Sequence, residues 1–304
     1  MHLHRRDFLL ILTLAVAIAT PAFGQAVAPA ASPANTRKIP DFSGIWAHPY
    51  LPGFEPPASG PGPVLNRSRR PDGKGNFNQL VGDYTNPILK PAAAAVVRKH
   101  GEISLSGVGY PTPSNQCWPG GVPYVFTDYL LQMFQQPNSI TIIYRHNNEV
   151  RRVRLNQPHP AQLTPSWYGD SVGHYEGDTL VIDTIGIKVG PFAMVDMYGT
   201  PHSSALHVVE RYRLIDYVNA TDALARNEKE NTRGPYSDFD ENYRGKVLQL
   251  HFTVEDPNVF TTPWTATITY RPSVNEWTDL ICTENIQWYS GKNAAVPTAD
   301  NPDF

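Results

Sequence analysis

From about residue 127 onward, the sequence is a succession of short stretches in which apolar and polar residues alternate, separated by turn-forming residues. In the segment KVLQLHFTVE, for example, Leu250, Phe252 and Val254 alternate with polar side chains. A period of two residues is typical of β-strands that bury one face. Because no helical pattern separates these stretches, successive strands are expected to pair antiparallel. The pattern predicts a mainly β fold, an antiparallel barrel or sandwich.

Two of the predicted β segments lie far apart in the chain. The segment SITIIYRHNNEVRRVRLN, residues 139–156, is expected to form a hairpin, because the asparagines of its turn tolerate positive φ. The segment EWTDLICTENIQW, residues 276–288, is expected to form the last strand.

The part of the chain before the predicted strands is irregular in pattern. Residues 50–85 are rich in proline, glycine and asparagine, and they are expected to wrap over the core as long ordered segments. One short helix is predicted near residues 91–100. Pro91 suits a first helical turn, the alanines that follow favour a helix, and Gly101 is expected to end it.

A long, polar and charged segment, residues 219–245, interrupts the succession of strands. Thr221 is expected to cap a short helix from Asp222 to about Asn231. Two interpretations of the segment stay open: a lid over a functional site, or a solvated excursion on the surface.

The N-terminal residues predict export from the cytoplasm. Arg5 and Arg6 precede the apolar run 9–19, and the small residues Ala22 and Gly24 follow at a spacing that suits cleavage. This pattern is typical of a twin-arginine signal peptide, read by an export translocase, and it predicts a periplasmic or secreted protein. The apolar run is too short for a stable membrane anchor.

The signal peptide is assigned to residues 1–24, and the organisation beyond it follows from composition. Residues 25–40 are rich in alanine and proline and are expected to form a flexible tether. Residues 41–290 are expected to form a single β-rich domain that includes the 219–245 segment. Residues 291–304 are expected to form a C-terminal tail.

Composition and motifs argue against several functions. The net charge is −3, charged residues make up 17% of the chain, and no basic stripe is visible, so nucleic acid is not an expected partner. No phosphate loop, dinucleotide fingerprint or Gly-x-Ser-x-Gly elbow occurs, and no cofactor is expected. No metal-ligand spacing occurs either, although His159, His202 and His207 could converge in the fold.

The chain contains two cysteines, Cys117 and Cys282. In an oxidising compartment a disulfide between them is favoured over two separate buried thiols. The chain-entropy account of so long a loop gives about 5 kcal/mol of stabilisation as an upper figure.

The hairpin within residues 166–184 carries Asp170, His174 and Asp183. A two-residue turn at Glu176-Gly177 would put all three on one face, whereas a three-residue loop would move Asp183 to the other side. A histidine between two carboxylates would have a raised pKa and could act as an acid. The alternative is a solvated outer face.

A second candidate acid–base pair is His202 with Glu210. Glu210 shares the parity of the apolar residues of its strand, so it is predicted to point inward, where a carboxylate must be paired or protonated. Arg211 faces the opposite way, so the partner of Glu210 is His202 or an arginine from elsewhere. Both a catalytic pair and a structural ion pair remain open.

Aromatic residues in and near the predicted strands suggest a pocket for a molecule that contains a ring. An equally available interpretation is that they form the core. The candidates for ligand contact are Trp167, Tyr168, Tyr212, Trp264 and Tyr270.

The segments PSWYGDSVGHYEGDTLVIDT, PHSSALHVVERYR, VEDPNVFTTPWT and CTEN together resemble a family of secreted bacterial proteins. The resemblance covers most of residues 115–290 and implies a β-rich exported domain, but the family has no established activity and assigns no catalytic residue. Tyr175 stands where the family has Trp. The Gly44-Ile45-Trp46 triplet resembles the first strand of lipocalin-like barrels, which favours a barrel over a sandwich by analogy of fold.

The sequence thus predicts a periplasmic, lipocalin-like β-barrel that binds a small apolar or aromatic molecule. The alternative is a cofactor-free lyase, isomerase or hydratase that uses His202 with Glu210, or His174 with Asp170. A third possibility is an interaction module of the cell envelope.

Overall fold

The computed structural model describes residues 39–48, 50–51, 53–233 and 238–282, with the backbone alone for residues 50–51 and 232–233. The predicted signal peptide and C-terminal tail lie outside the described residues, as does nearly all of the predicted tether.

The described residues contain eleven strands and two α-helices in all. In chain order they are β1 (Gly44–Ala47), β2 (Tyr50–Leu51), α1 (Pro91–Leu105), β3 (Leu130–Gln136), β4 (Ser139–Tyr144), β5 (Glu149–Leu155), β6 (Asp170–Glu176), β7 (Thr179–Ile185), β8 (His207–Asp216), α2 (Tyr217–Glu230), β9 (Thr232–Arg233), β10 (Lys246–Glu255) and β11 (Trp264–Pro272).

Nine of these strands close into a barrel in the order β1-β11-β10-β8-β7-β6-β5-β4-β3, with β3 pairing back onto β1, while β2 and β9 form a separate two-stranded sheet. The predicted barrel is therefore confirmed. Eight of the nine contacts around the barrel are antiparallel, and β5 and β6 are parallel. They are parallel because residues 156–169 run back along the outside of the barrel before β6 begins.

The alternation that predicted the strands also sorts their side chains. Leu250, Phe252 and Val254 are fully buried, whereas the intervening His251 is exposed. Phe252 packs edge-to-face on Trp264 from the neighbouring strand, with ring centroids 6.0 Å apart. The barrel interior is filled by the protein's own side chains.

The predicted helix near residues 91–100 is confirmed as α1, but it continues through Gly101 to Leu105. Gly101 packs against Val81, and a Cβ at this position would lie 3.0 Å from a Val81 methyl group. Glycine therefore provides a close approach there, not a helix end. The helix is followed by Gly107, which has a positive φ of 78°.

The segment 219–245 contains a helix that packs on the barrel, and none of its described residues lines the pocket described below. Its helix, α2, begins at Tyr217, five residues before the predicted start, and the Thr221 hydroxyl donates to the Val218 carbonyl inside the helix. Ala220 and Leu224 pack against Val247 of β10, so α2 covers the outside of the barrel.

Cys117 and Cys282 form the predicted disulfide, with their Cα atoms 5.4 Å apart. The last strand predicted within residues 276–288 is not formed as far as the structure describes it. Residues 276–282 run irregularly past the β4–β5 turn, where Trp277 donates to the Asn148 side chain and Leu280 bridges to His146. No described helix combines the length and apolar character needed to cross a bilayer.

Candidate functional site

A cavity lies at the end of the barrel where β4 ends and β5 begins, and it is called the end pocket below. Its volume is about 310 Å³. Its walls come from residues 114–129, which precede β3, from the β4–β5 turn, and from Met197 and Leu280. The turn has the predicted form, with Asn147 and Asn148 at φ of 58° and 50°.

Aromatic and aliphatic side chains make up most of the wall. The aromatic members are Phe77, Trp118, Tyr124 and Tyr129. Phe77 and Trp118 remain 40% and 37% exposed, so two large apolar rings are open to solvent at the pocket. Such an apolar concavity with a few polar groups is the usual form of a small-molecule site.

Glu149 is the principal polar group of the end pocket. It is the first residue of β5 and shares the inward parity of Arg151 and Val153, which leaves its side chain only 8% exposed. The Gly120 N–H donates to both carboxylate oxygens, at 3.0 and 3.2 Å, and the Tyr168 hydroxyl adds a further hydrogen bond. Burial outweighs these bonds and raises the pKa of Glu149 to about 7.

Asp128 and His146 face the same cavity. The His146 backbone N–H donates to Asp128 Oδ2 at 2.7 Å. Burial raises the pKa of Asp128, while His146 and nearby backbone N–H groups oppose the shift. Burial lowers the pKa of His146 against the opposing charge of Asp128, and its buried Nε2 atom has no hydrogen-bond partner among the described residues. The end pocket therefore offers two carboxyls and an imidazole for recognition or proton transfer.

Of the five aromatic residues predicted to contact a ligand, two lie beside the end pocket. Tyr168 bonds to Glu149, and Trp167 packs edge-to-face on Trp118 with ring centroids 5.3 Å apart. The other three, Tyr212, Trp264 and Tyr270, are fully buried in the barrel interior and pack there as core.

Glu210 points inward as predicted, but the structure pairs it with Arg151 instead of His202. The two guanidinium Nη atoms donate to the two carboxylate oxygens at 2.5 and 2.8 Å, and Tyr212 donates to the same carboxylate. The Nδ1 atom of His202 lies 3.1 Å from the Ser203 carbonyl oxygen. Burial lowers the pKa of His202. Of the two possible roles, Glu210 therefore has that of a structural ion pair.

The β6–β7 hairpin has a register that neither expected turn gives. Its turn is Gly177-Asp178, so Glu176 pairs with Thr179 and His174 faces Val181. Gly177, at φ of 65°, supplies the positive φ that such a turn requires. Asp170, His174 and Asp183 do share one face, but it is the outer face of the barrel. His174 is exposed there and bonds to Glu176 at 3.1 Å.

The histidine that lies between two carboxylates is His159, not His174. Its ring nitrogens lie 2.6 Å from Asp170 and 2.9 Å from Asp183. His207 meets the second oxygen of Asp183 at 2.9 Å, and this raises the pKa of His207. Because Arg154 also binds Asp170, the cluster fastens the 156–169 connection to the outside of the barrel.

The histidines considered for a metal site do not gather into one. His159 and His207 share Asp183, but no three described His, Cys, Asp or Glu side chains are arranged so that they could hold a metal ion.

The sequence predictions did not include Asp128, His146 or Glu149. The only feature of the sequence that could have indicated them is their position. Asp128 precedes β3, and His146 and Glu149 flank the Asn147-Asn148 turn between β4 and β5. Because β4 pairs with β3, all three lie near each other. That topology brings them to one end of the barrel.

Comparisons with protein-family models, with curated proteins and with solved structures give no match for the chain. Fold and site define a mainly β protein, a closed nine-strand barrel with an aromatic, acidic pocket at one end. Because a barrel fold serves many activities, function has to be argued from this pocket.

Proposed function

We propose that the protein binds a small, largely apolar molecule that contains an aromatic ring, and that it does so in the end pocket. The observation that carries the proposal is the cavity of about 310 Å³ with four aromatic rings in its wall. Its size is at the lower end of the range for small-molecule pockets, about 300 to 1,000 Å³.

The site proposed here differs from the barrel interior that the sequence favoured. Tyr212, Trp264 and Tyr270 are at most 1% exposed, so they leave no room for a guest among them. The end pocket, by contrast, combines exposed rings with buried polar groups that can fix the orientation of a ligand.

The disulfide supports this role and the proposed location outside the cytoplasm. Cys117 precedes Trp118 in the chain, and its bond to Cys282 links the Trp118 wall to the segment that carries Leu280. A wall held in place before binding lowers the entropy cost of association. A disulfide also favours an oxidising compartment, in agreement with the expected export signal.

The binding proposal is tested with N-phenyl-1-naphthylamine, a neutral ring compound that fluoresces in apolar surroundings. We expect saturable binding by the wild-type protein and at least tenfold weaker binding by Trp118→Ala, because removal of the indole opens the wall to water. Phe134→Ala is the matched control, since Phe134 lies outside the end pocket and its ring is similarly exposed, at 40%. Binding that is absent, or equally weakened in both variants, would contradict the proposal.

An acid–base enzyme is the second candidate, because Glu149 and His146 both line the cavity. With a pKa of about 7, Glu149 can exchange a proton near neutral pH, and His146, whose pKa burial lowers, has a buried Nε2 atom with no hydrogen-bond partner among the described residues. This would suit a lyase, isomerase or hydratase without a cofactor. The candidate residues thus change from His202 with Glu210, or His174 with Asp170, to Glu149 and His146.

The enzyme candidate predicts that the protein accelerates exchange of the methyl protons of acetophenone in D₂O, as followed by NMR. Glu149→Gln should abolish the acceleration while N-phenyl-1-naphthylamine still binds. If bound acetophenone exchanges no faster than in buffer, proton abstraction by this pocket is excluded for that substrate and the binding function alone remains.

A further inference from the structure

The charges that line the end pocket are one-sided. Its ionisable side chains include the carboxyls of Asp128 and Glu149 and the imidazole of His146, and no lysine or arginine is among its described lining residues. Within the described part of the chain, neither carboxyl forms an ion pair with a lysine or arginine. Both depend instead on hydrogen bonds, chiefly from backbone N–H groups.

Buried carboxylates elsewhere in the protein are compensated in two ways. Asp196 and Asp256 are held by hydrogen bonds alone, from backbone N–H groups and from the Ser203 hydroxyl, while others have a cation beside them. Glu210 is bound by Arg151, Glu230 by Arg69 at 2.6 Å, and Asp238 by Arg145 at 3.3 Å. The general reason is that a buried carboxylate without a counter-charge is costly. Asp128 and Glu149 both line a cavity, where a ligand can supply the counter-charge.

The aromatic wall is suited to the same kind of charge. The faces of Trp, Tyr and Phe rings attract cations, and Trp118, Tyr124 and Tyr129 line the cavity. A guanidinium, that of Arg145, does lie over the Tyr129 ring at 5.4 Å, but it is bonded to Asp238 and Thr278.

We infer that the ligand carries a positively charged nitrogen next to its ring, so that the end pocket is a site for arylalkylammonium ions. The inference rests on the proposed binding function and specifies its ligand class. The ammonium group would lie against Asp128 and Glu149, and the ring would pack among the aromatic residues. A lysine side chain of a peptide offers similar chemistry, but it lacks the ring that the aromatic wall would contact.

The affinity of the end pocket for a cation should depend on pH through Glu149. Below about pH 7 Glu149 is mostly neutral, and above it the carboxylate attracts a cation. The groups that face Glu149 are Asp128, His146, the Tyr168 hydroxyl and the Gly120 N–H, and none of them is a permanent cation. The affinity for a cation of fixed charge should therefore rise from pH 6 to pH 8, and its binding should release protons.

The charge preference is tested by isothermal titration calorimetry with three compounds that share a phenyl ring and differ in charge: 2-phenylethylamine, 2-phenylethanol and phenylacetate. We expect the ammonium ion to bind at least tenfold more tightly than the alcohol, and phenylacetate to bind most weakly. Asp128→Asn should remove this preference, weakening 2-phenylethylamine about tenfold while leaving the alcohol within twofold. Asp222→Asn is the matched control, since it removes the same charge from the exposed side of α2.

Benzyltrimethylammonium, whose charge does not titrate, tests the pH dependence. We expect Glu149→Gln to abolish both the rise in affinity and the proton release, measured in buffers of different ionisation enthalpy. Equal binding of the amine and the alcohol would overturn the charge inference and leave the binding function intact. If N-phenyl-1-naphthylamine and all of these ring compounds fail to bind, the binding function itself is wrong.

Discussion

At the scale of single residues, the barrel interior and the end pocket differ in how a buried carboxylate is compensated. Glu210 and Arg151 neutralise each other inside the barrel, and Ser171 and Thr184 accept further hydrogen bonds from the guanidinium. Glu149 lies two residues before Arg151 on the same face of β5, yet it has no such partner. The first arrangement is closed to a ligand, and the second is open to one.

The closed pair leads to a prediction about stability. Arg151→Met should lower the free energy of unfolding by about 3 to 5 kcal/mol, because it leaves Glu210 buried without its counter-charge. Arg154 lies on the same strand as Arg151 and forms a partly exposed ion pair with Asp170 of β6. Arg154→Met should therefore lower the free energy of unfolding by no more than about 1 kcal/mol. Urea unfolding followed by circular dichroism measures both.

A double variant tests whether the loss of stability comes from the unpaired charge of Glu210 or from the loss of the ion pair itself. Because replacing a buried ion pair by apolar side chains of similar volume is often neutral, Arg151→Met combined with Glu210→Leu should recover most of the lost stability. If Arg151→Met alone unfolds at the wild-type urea concentration, loss of the counter-charge of Glu210 does not destabilise the protein and the prediction is wrong.

At the scale of elements, the strands could be predicted because their signal is local. Alternation in β8 and β10 predicts one buried face, and the structure buries that face, including the side chain of Glu210. The β4–β5 turn was equally local, since its two asparagines adopt the positive φ that such a turn requires.

Register and long-range pairing were not local and could not be read in the same way. The β6–β7 register depends on which residues form the turn, and a shift of one residue would move Asp183 to the other face. The apolar pattern within each strand is the same for every turn, so it does not decide between them. The parallel β5–β6 pair depends on a connection held by His159, whose partners Asp170 and Asp183 come later in the chain.

The end pocket was harder still to predict, because it is built mainly from turns and irregular segments. Phe77, Trp118, Met197 and Leu280 come from four separate parts of the chain that lie outside the regular strands and helices. No periodicity marks such residues, and only the closed barrel brings them together. Trp167 and Tyr168 are among the predicted ligand contacts because they are aromatic residues near the predicted strands, and they lie at the margin of the site.

At the scale of the whole molecule, the disulfide joins parts of the chain that are 165 residues apart and that meet at the end pocket. Residues near Cys117 form one wall, and Leu280, two residues before Cys282, contributes to another. The cross-link therefore restricts the unfolded chain and also positions the two walls in the folded protein. Stability and binding should respond to it together.

Removal of the disulfide should therefore lower both the stability of the protein and its affinity for a ligand. The Cys117→Ser/Cys282→Ser variant should lose about 2 to 5 kcal/mol of unfolding free energy, because a cross-link over so long a loop restricts the unfolded chain. At a temperature where the variant remains folded, it should also bind N-phenyl-1-naphthylamine more weakly, since Trp118 is no longer held beside the Leu280 segment. Urea unfolding measures the stability and fluorescence titration measures the affinity. A reducing agent should lower both in the wild-type protein and should change neither in the variant. A loss of stability with unchanged affinity would show that the pocket walls keep their places without the cross-link.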